Sequence, residues 1–208
     1  MPVLVLGKRV DAYPDIPPEA ERGAVRRVTV IGEPILRKIC APVVEFGTSE
    51  LAALIDDMFA TMRVAEGCGL AANQVDVDLS VFVWDCEDDY GVRHVGHIAN
   101  PILNTLPADR RNLVEAREGC LSVPGARADL ARPDKAIVRG WDMHGNPLVI
   151  EGSGYFARAL QHETDHLNGG LYVDRVPDRA RKVALREMEN NREAVFARRA
   201  RIAAEWGK

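Results

Sequence analysis

Two histidines four residues apart, with a glutamate beside the first, are the residues in this 208-residue chain best suited to do chemistry: His162, Glu163, Thr164, Asp165 and His166. On a helix this spacing puts both imidazoles on one face, a turn apart, where they can reach a single cation. Glu163 would then act on a water at that cation without being a ligand itself. A pair of buried, hydrogen-bonded core histidines is the bland alternative. A catalytic site needs a third protein ligand and one open position. The longer pattern H-E-x-x-H-x-x-G-x-x-H fails, because Gly169 matches but Tyr172 holds the final position and no histidine follows His166. Glu187, Glu189, Glu193 and Glu205 lie in an alternating-charge tail that reads as solvated. Cys120, within Glu118, Gly119, Cys120, Leu121 and Ser122, is the better candidate, its alternative being a small buried hydrophobe.

Elements must hold these residues in place. Ser153 or Gly154 is a candidate start for the histidine helix, Tyr155, Ala159, His162 and His166 share one side, and Gly169 with Gly170 stops it. From Thr48 or Ser49 to about Glu66, Leu51, Leu54, Ile55, Met58, Phe59 and Met62 recur at helical spacing, predicting a core-packing helix. It leads into a glycine-rich stretch, 67–74, whose backbone can approach a ligand and whose long polar side chain is Gln74; a tight packed turn is the plainer reading. Alternation predicts strands at 80–84, 94–98, 135–141 and 148–150, with a polar hairpin connection at 86–91 and an exposed loop at 107–112. His94 and His97, three apart on a strand, face opposite ways and are not expected to share a metal. Residues 1–23, with three prolines and several acids between positions 11 and 19, read as an extended surface arm.

Composition narrows the class. A net charge of −4 argues against nucleic acid as the main partner. Four irregularly spaced cysteines do not form a disulfide framework, and a cysteine ligand must stay reduced, which fits a cytoplasmic setting. No apolar run is long enough to span a membrane. The segment 178–208 is helical in composition, with nine basic residues against five acidic, so its surface is locally cationic.

Three stretches taken in order, Gly67 to Gln74 (GCGLAANQ), Glu118 to Ser122 (EGCLS) and His162 to His166 (HETDH), resemble the signatures of the peptide deformylases, and the likeness runs from about Val28 to Val176. The resemblance implies an α+β fold: antiparallel β-sheets packed around a central metal-binding helix, with a C-terminal helix. It implies an arm at 1–27, a catalytic domain at 28–177 and the C-terminal helix at 178–208. It further implies that Cys120, His162 and His166 hold one divalent ion, Fe(II) as the native metal with Zn(II) as the alternative. Glu163 would be the general base and acid, Gln74 and the Leu121 N–H the oxyanion donors, and Gly69 and Arg127 substrate contacts, with Arg132 pairing to Glu118. Arg158 stands where the family often has an apolar residue, and Cys68 where it often has Val or Ile. The implied substrates are N-formyl-methionyl nascent peptides, and the implied partner of the C-terminal helix is the ribosome. Two rival readings of the residues are a zinc metallopeptidase, which would cut internal peptide bonds, and a non-catalytic module with a structural metal.

Overall fold

The computed structural model describes residues 2–104, 107 and 111–208. Residues 108–110 of the loop expected at 107–112 lie outside these residues. Nine strands and four α-helices make up the described fold, in an α+β arrangement in which one helix is surrounded by sheet and loops.

The main sheet contains seven strands. β1 (Val3–Val5) and β2 (Lys8–Val10) form a hairpin; β3 (Gly69–Ala71), β4 (Val81–Glu87) and β5 (Arg93–Asn104) form an antiparallel run; β8 (Lys135–Trp141) pairs with the far half of β5 and with β9 (Pro147–Ser153). β6 (Leu113–Cys120) and β7 (Val123–Pro133) make a separate two-stranded sheet, and its register shifts between Gly119 and Cys120. That irregularity ends the ladder at the cysteine and turns its side chain out of the regular alternation.

Two sequence readings change here. The segment read as an arm is built into the sheet, because β1 pairs parallel with β5, Val3 opposite Arg93. It continues into α1 (Pro18–Arg22), where Ala20 is buried and Arg22 grips Asp56 with two 2.8 Å hydrogen bonds. The connection read at 86–91 is shorter, because Cys86 and Glu87 stay paired with His94 and Arg93. In both places long-range strand pairing decides the outcome, which local composition does not encode.

α2 (Ser49–Val64) forms as its periodicity predicts. Thr48 caps it by accepting the Leu51 N–H at 3.2 Å, and its six apolar positions are all buried, each stabilising the fold by roughly 1.5–3 kcal/mol. α3 (Gly154–Leu167) is buried on every side from Phe156 to Leu167. Ser153 sits at its N-cap but makes no capping bond. A helix buried all round that carries Arg, Gln, His, Glu, Thr and Asp must pair those groups internally. That requirement generates the site.

α4 (Asp178–Glu205) departs from the expected solvated tail. It packs along β7, buries Ala184 and Met188 and reaches back to α2, where Trp206 joins the core and lies under the Arg63 guanidinium.

Candidate metal centre

Cys120, His162 and His166 each present a ligand atom, and these atoms lie within 4.8 Å of one another. Among the described residues no other such group of three occurs. Cys120 Sγ is 3.1 Å from His166 Nε2, which is 3.2 Å from His162 Nε2. The cysteine comes from the broken end of β6, the two imidazoles from successive turns of α3. The Ser122 N–H at 3.4 Å and the Gln74 amide at 3.6 Å both point at the sulfur. A soft sulfur with two imidazole nitrogens is a donor set suited to zinc or iron.

The surrounding bonds set the tautomer. His162 Nδ1 is 2.7 Å from Glu118 Oε1; a carboxylate only accepts, so Nδ1 carries the proton and Nε2 turns its lone pair toward the other two ligands. Burial alone would raise the Glu118 pKa, but hydrogen bonds from His162 and Arg132 outweigh it and hold the carboxyl well below the usual range. Arg132 donates to Glu118 from Nε and Nη2, both at 2.7 Å, and to Asp165 from Nη1 at 2.9 Å. Arg158 adds a 2.8 Å bond to Glu118 and ties the carbonyls of Leu130 and Val114. This answers the departure noted in the sequence: the arginine does not intrude as a loose charge but completes the cradle of Glu118.

The electrostatics of the trio favour a positive charge among the three ligands. Burial works against a charge on His162, yet the Cys120 sulfur and the bond to Glu118 lift its pKa well above the ordinary value. His166, fully buried and beside His162, is held well below.

Glu163 faces the same space. Its Oε2 is buried without a hydrogen-bond partner among the described residues, and burial, helped by the nearby Glu118 and opposed by His162, pushes its pKa up to about 7. Gly69 is a necessity of this approach, since a Cβ there would lie 2.5 Å from Glu163 Oε1. Gln74 is fixed in orientation: its Oε1 accepts the Ala71 N–H at 2.9 Å while its Nε2 faces Ser122 and Cys120.

A groove of about 590 Å³ opens over these residues. Residues 65–69 line one side and 117–121 with 124–127 the other, Arg127 among them; α3 is the floor, and α4 contributes Glu187, Val195, Arg198 and Arg199. The structure thus brings together Gly69, Gln74, Cys120, Leu121, Arg127, His162, Glu163 and His166. His94 and His97 stay apart, the first beside Asp88 and stacked on Phe156, the second accepting the Met143 N–H. Four participants escaped the sequence reading. The bond between Glu118 and His162 and the seat of Arg158 join residues 28 to 44 positions apart. Asp165 lay within the motif and carried a readable signal, a second buried acid on the helix. Arg199 had no local signal.

A family profile described as "Polypeptide deformylase" matches residues 25–182. Peptide deformylase 1 of Streptomyces avermitilis is 61% identical over 171 residues, 82% of this chain and 79% of that protein. Peptide deformylase 2 of Streptomyces coelicolor is 47% identical over 166 residues, 80% of this chain and 90% of that one. Among solved structures, a peptide deformylase from Legionella pneumophila superposes with a TM-score of 0.73 at 38% identity, covering 82% of this chain and 97% of its own. A peptide deformylase from Synechococcus elongatus, in complex with actinonin, gives a TM-score of 0.69 at 32% identity, covering 83% and 92%.

Proposed function

The chain belongs to the polypeptide deformylase family, and from that membership we infer how its groove carries out the family's reaction. The reaction is hydrolysis of the formyl amide on N-formyl-methionyl nascent polypeptides. Water adds to the formyl carbon, the carbon–nitrogen bond breaks, and formate leaves a free amino terminus behind.

We assign Cys120, His162 and His166 as ligands of one divalent ion, Fe(II) as the native metal and Zn(II) as the alternative. When bound, the ion supplies Lewis acidity, lowering the pKa of water and polarising the formyl carbonyl. The remaining work falls to the chain. Glu163 takes the proton of the attacking water at its unpartnered Oε2 and returns it to the departing nitrogen, one carboxyl serving as base and then acid. A base poised near neutrality suits both transfers. Gln74 Nε2 and the Leu121 N–H donate to the oxygen that becomes negative, and such a donor is worth about 3 kcal/mol. Gly69 meets the peptide backbone along the groove wall, and Arg127 meets it at the groove mouth.

The wider assignment has three parts: an N-terminal extension at 1–27 packed onto the sheet, a catalytic unit at 28–177 and a helix at 178–208. The helix exposes Arg179, Lys182, Arg186, Arg198 and Arg201, a cationic face suited to the ribosome, and the setting is the cytoplasm. No helix among the described residues is long and apolar enough to cross a membrane.

The observation that carries the mechanism is the unpartnered oxygen of Glu163, which lines the same groove as Cys120 and His162. The test is formate release from formyl-Met-Ala-Ser by protein prepared anaerobically and loaded with Fe(II) or Zn(II) in parallel. E163A is expected to keep its metal and to lose turnover by about 10²–10⁴-fold. Turnover by metal-loaded E163A at the wild-type rate would end the assignment of Glu163, and the ratio of the two metal forms identifies the better ion.

A further inference from the structure

α4 does more than cover the sheet. Asn191 Nδ2 donates to the Gly125 carbonyl at 3.0 Å, and the helix crosses that turn so closely that a Cβ on Gly125 would lie 2.5 Å from Asn191 Cβ. Two consecutive arginines then reach the two sides of the groove. Arg198 bonds Glu66 at 2.6 Å on one side; Arg199 Nη2 donates to the Leu121 carbonyl at 3.0 Å on the other.

The pair differ in how their charges are met. Arg198 is largely exposed and has its carboxylate. Arg199 is half-buried, lines the groove, and makes no ion pair among the described residues. Its Nε is buried with no hydrogen-bond partner among them. A guanidinium has five N–H donors, and with Nε enclosed, the ones left for a ligand are at the Nη end, where a single bond to Leu121 is made among the described residues. Burial accordingly pulls its pKa below the ordinary arginine value.

Geometry identifies the acceptor. The formyl carbon must sit by Cys120 and Glu163, and Leu121 is the next residue along the groove wall. A peptide leaving that point in extended form advances about 3.3 Å per residue and presents a carbonyl at each step. Resting on the deformylase reading above, we propose that α4 is a wall of the peptide-binding groove and that Arg199 is a specificity residue, donating a free Nη N–H to a backbone carbonyl of the substrate beyond the formyl-methionine.

Full-length, metal-loaded wild type, R199Q and R199K are assayed on formyl-Met-Ala-Ser and on formyl-methionine amide, which lacks the downstream carbonyls. R199Q is expected to lose about tenfold in kcat/KM on the tripeptide, mainly through KM, the size of one hydrogen bond from a charged donor. On the amide it is expected to change less than twofold. R199K, which keeps the charge without the planar fork, falls between them on the tripeptide. Equal losses on both substrates carried by kcat would mean that Arg199 acts only through Leu121, and no loss on either would mean that it binds nothing; each overturns the proposal. If R199Q melts far below wild type, the same two-substrate comparison is read from R199K. Wild type inactive on both substrates would instead count against the deformylase reading itself.

Discussion

Glu118 touches no substrate in the mechanism above, yet replacing it with glutamine is expected to damage both the fold and the metal centre. Its carboxylate is 4% exposed and accepts four bonds: two from Arg132, one from Arg158 and one from His162 Nδ1, all at 2.7–2.8 Å. E118Q preserves the shape but removes the charge that balances two buried guanidiniums, leaving Asp165 as the remaining acid within reach of Arg132. It also puts an NH₂ where a donor already points, so at least one bond becomes a donor–donor contact. Breaking a buried ion pair by removing one partner destabilises by about 3–5 kcal/mol. For a chain of this size, that corresponds to a fall in Tm of roughly 6–20 °C. Freed from its acceptor, His162 is no longer held with Nε2 bare, and loss of such an outer partner weakens metal binding by about 10–100-fold. Urea unfolding of the metal-free protein reads the first effect, and competition with a chromophoric chelator reads the second. An E118Q protein within about 1 kcal/mol of wild type and with unchanged zinc affinity would refute the claim that this carboxylate organises the site.

Two further substitutions probe the packing. G69A forces the Glu163 carboxylate away from a contact of 2.5 Å, so formate release is expected to fall at least about tenfold with metal content unchanged; full activity would show that this close approach does not position the base. His97 is buried, and burial, eased by Asp142 and reinforced by His144, lowers its pKa from 6.5 to about 4. The unfolded chain therefore takes up a proton on this residue before the folded one does, and stability is lost as pH falls from about 6.5 toward 4. At pH 5 the loss is about 2 kcal/mol relative to pH 8. In H97Q the gap in unfolding free energy between those two pH values is expected to shrink by about that amount, and an unchanged gap would reject His97 as its source.

Legibility divided along the range of the interactions. α3 and its ligands were readable because helical spacing alone puts His162 and His166 on one face, and α2 because its apolar positions repeat over four turns. The glycine-rich stretch was readable in its need for close approach, though what comes close, the Glu163 carboxyl, lies about ninety positions away. The cradle of Glu118 was hidden for the same reason. The resemblance already paired Arg132 with Glu118, but Arg158 looks like an ordinary surface arginine until β6, β7 and α3 are assembled, and only then do both forks converge on one acid. β1 was hidden because a three-residue strand becomes one only when an unpaired edge of β5 receives it. The helix at 178–208 was legible from its composition, but its docking was hidden, because its polar sequence shows almost no apolar stripe and nothing in it announces which face meets β7.

The crossing of α4 over Gly125 and Leu121 also has a meaning in time. A chain is synthesised from its amino end, and every other residue lining the groove precedes α4 in the sequence. Cys120, His162, His166, Glu163, Gln74 and Leu121 all emerge while the last side of the groove is still missing. Until residues 191–199 follow and lock onto the Gly125 and Leu121 carbonyls, the site stands open on that side. An enzyme that trims newly made chains is itself, through most of its own synthesis, a chain whose peptide groove has not yet been closed.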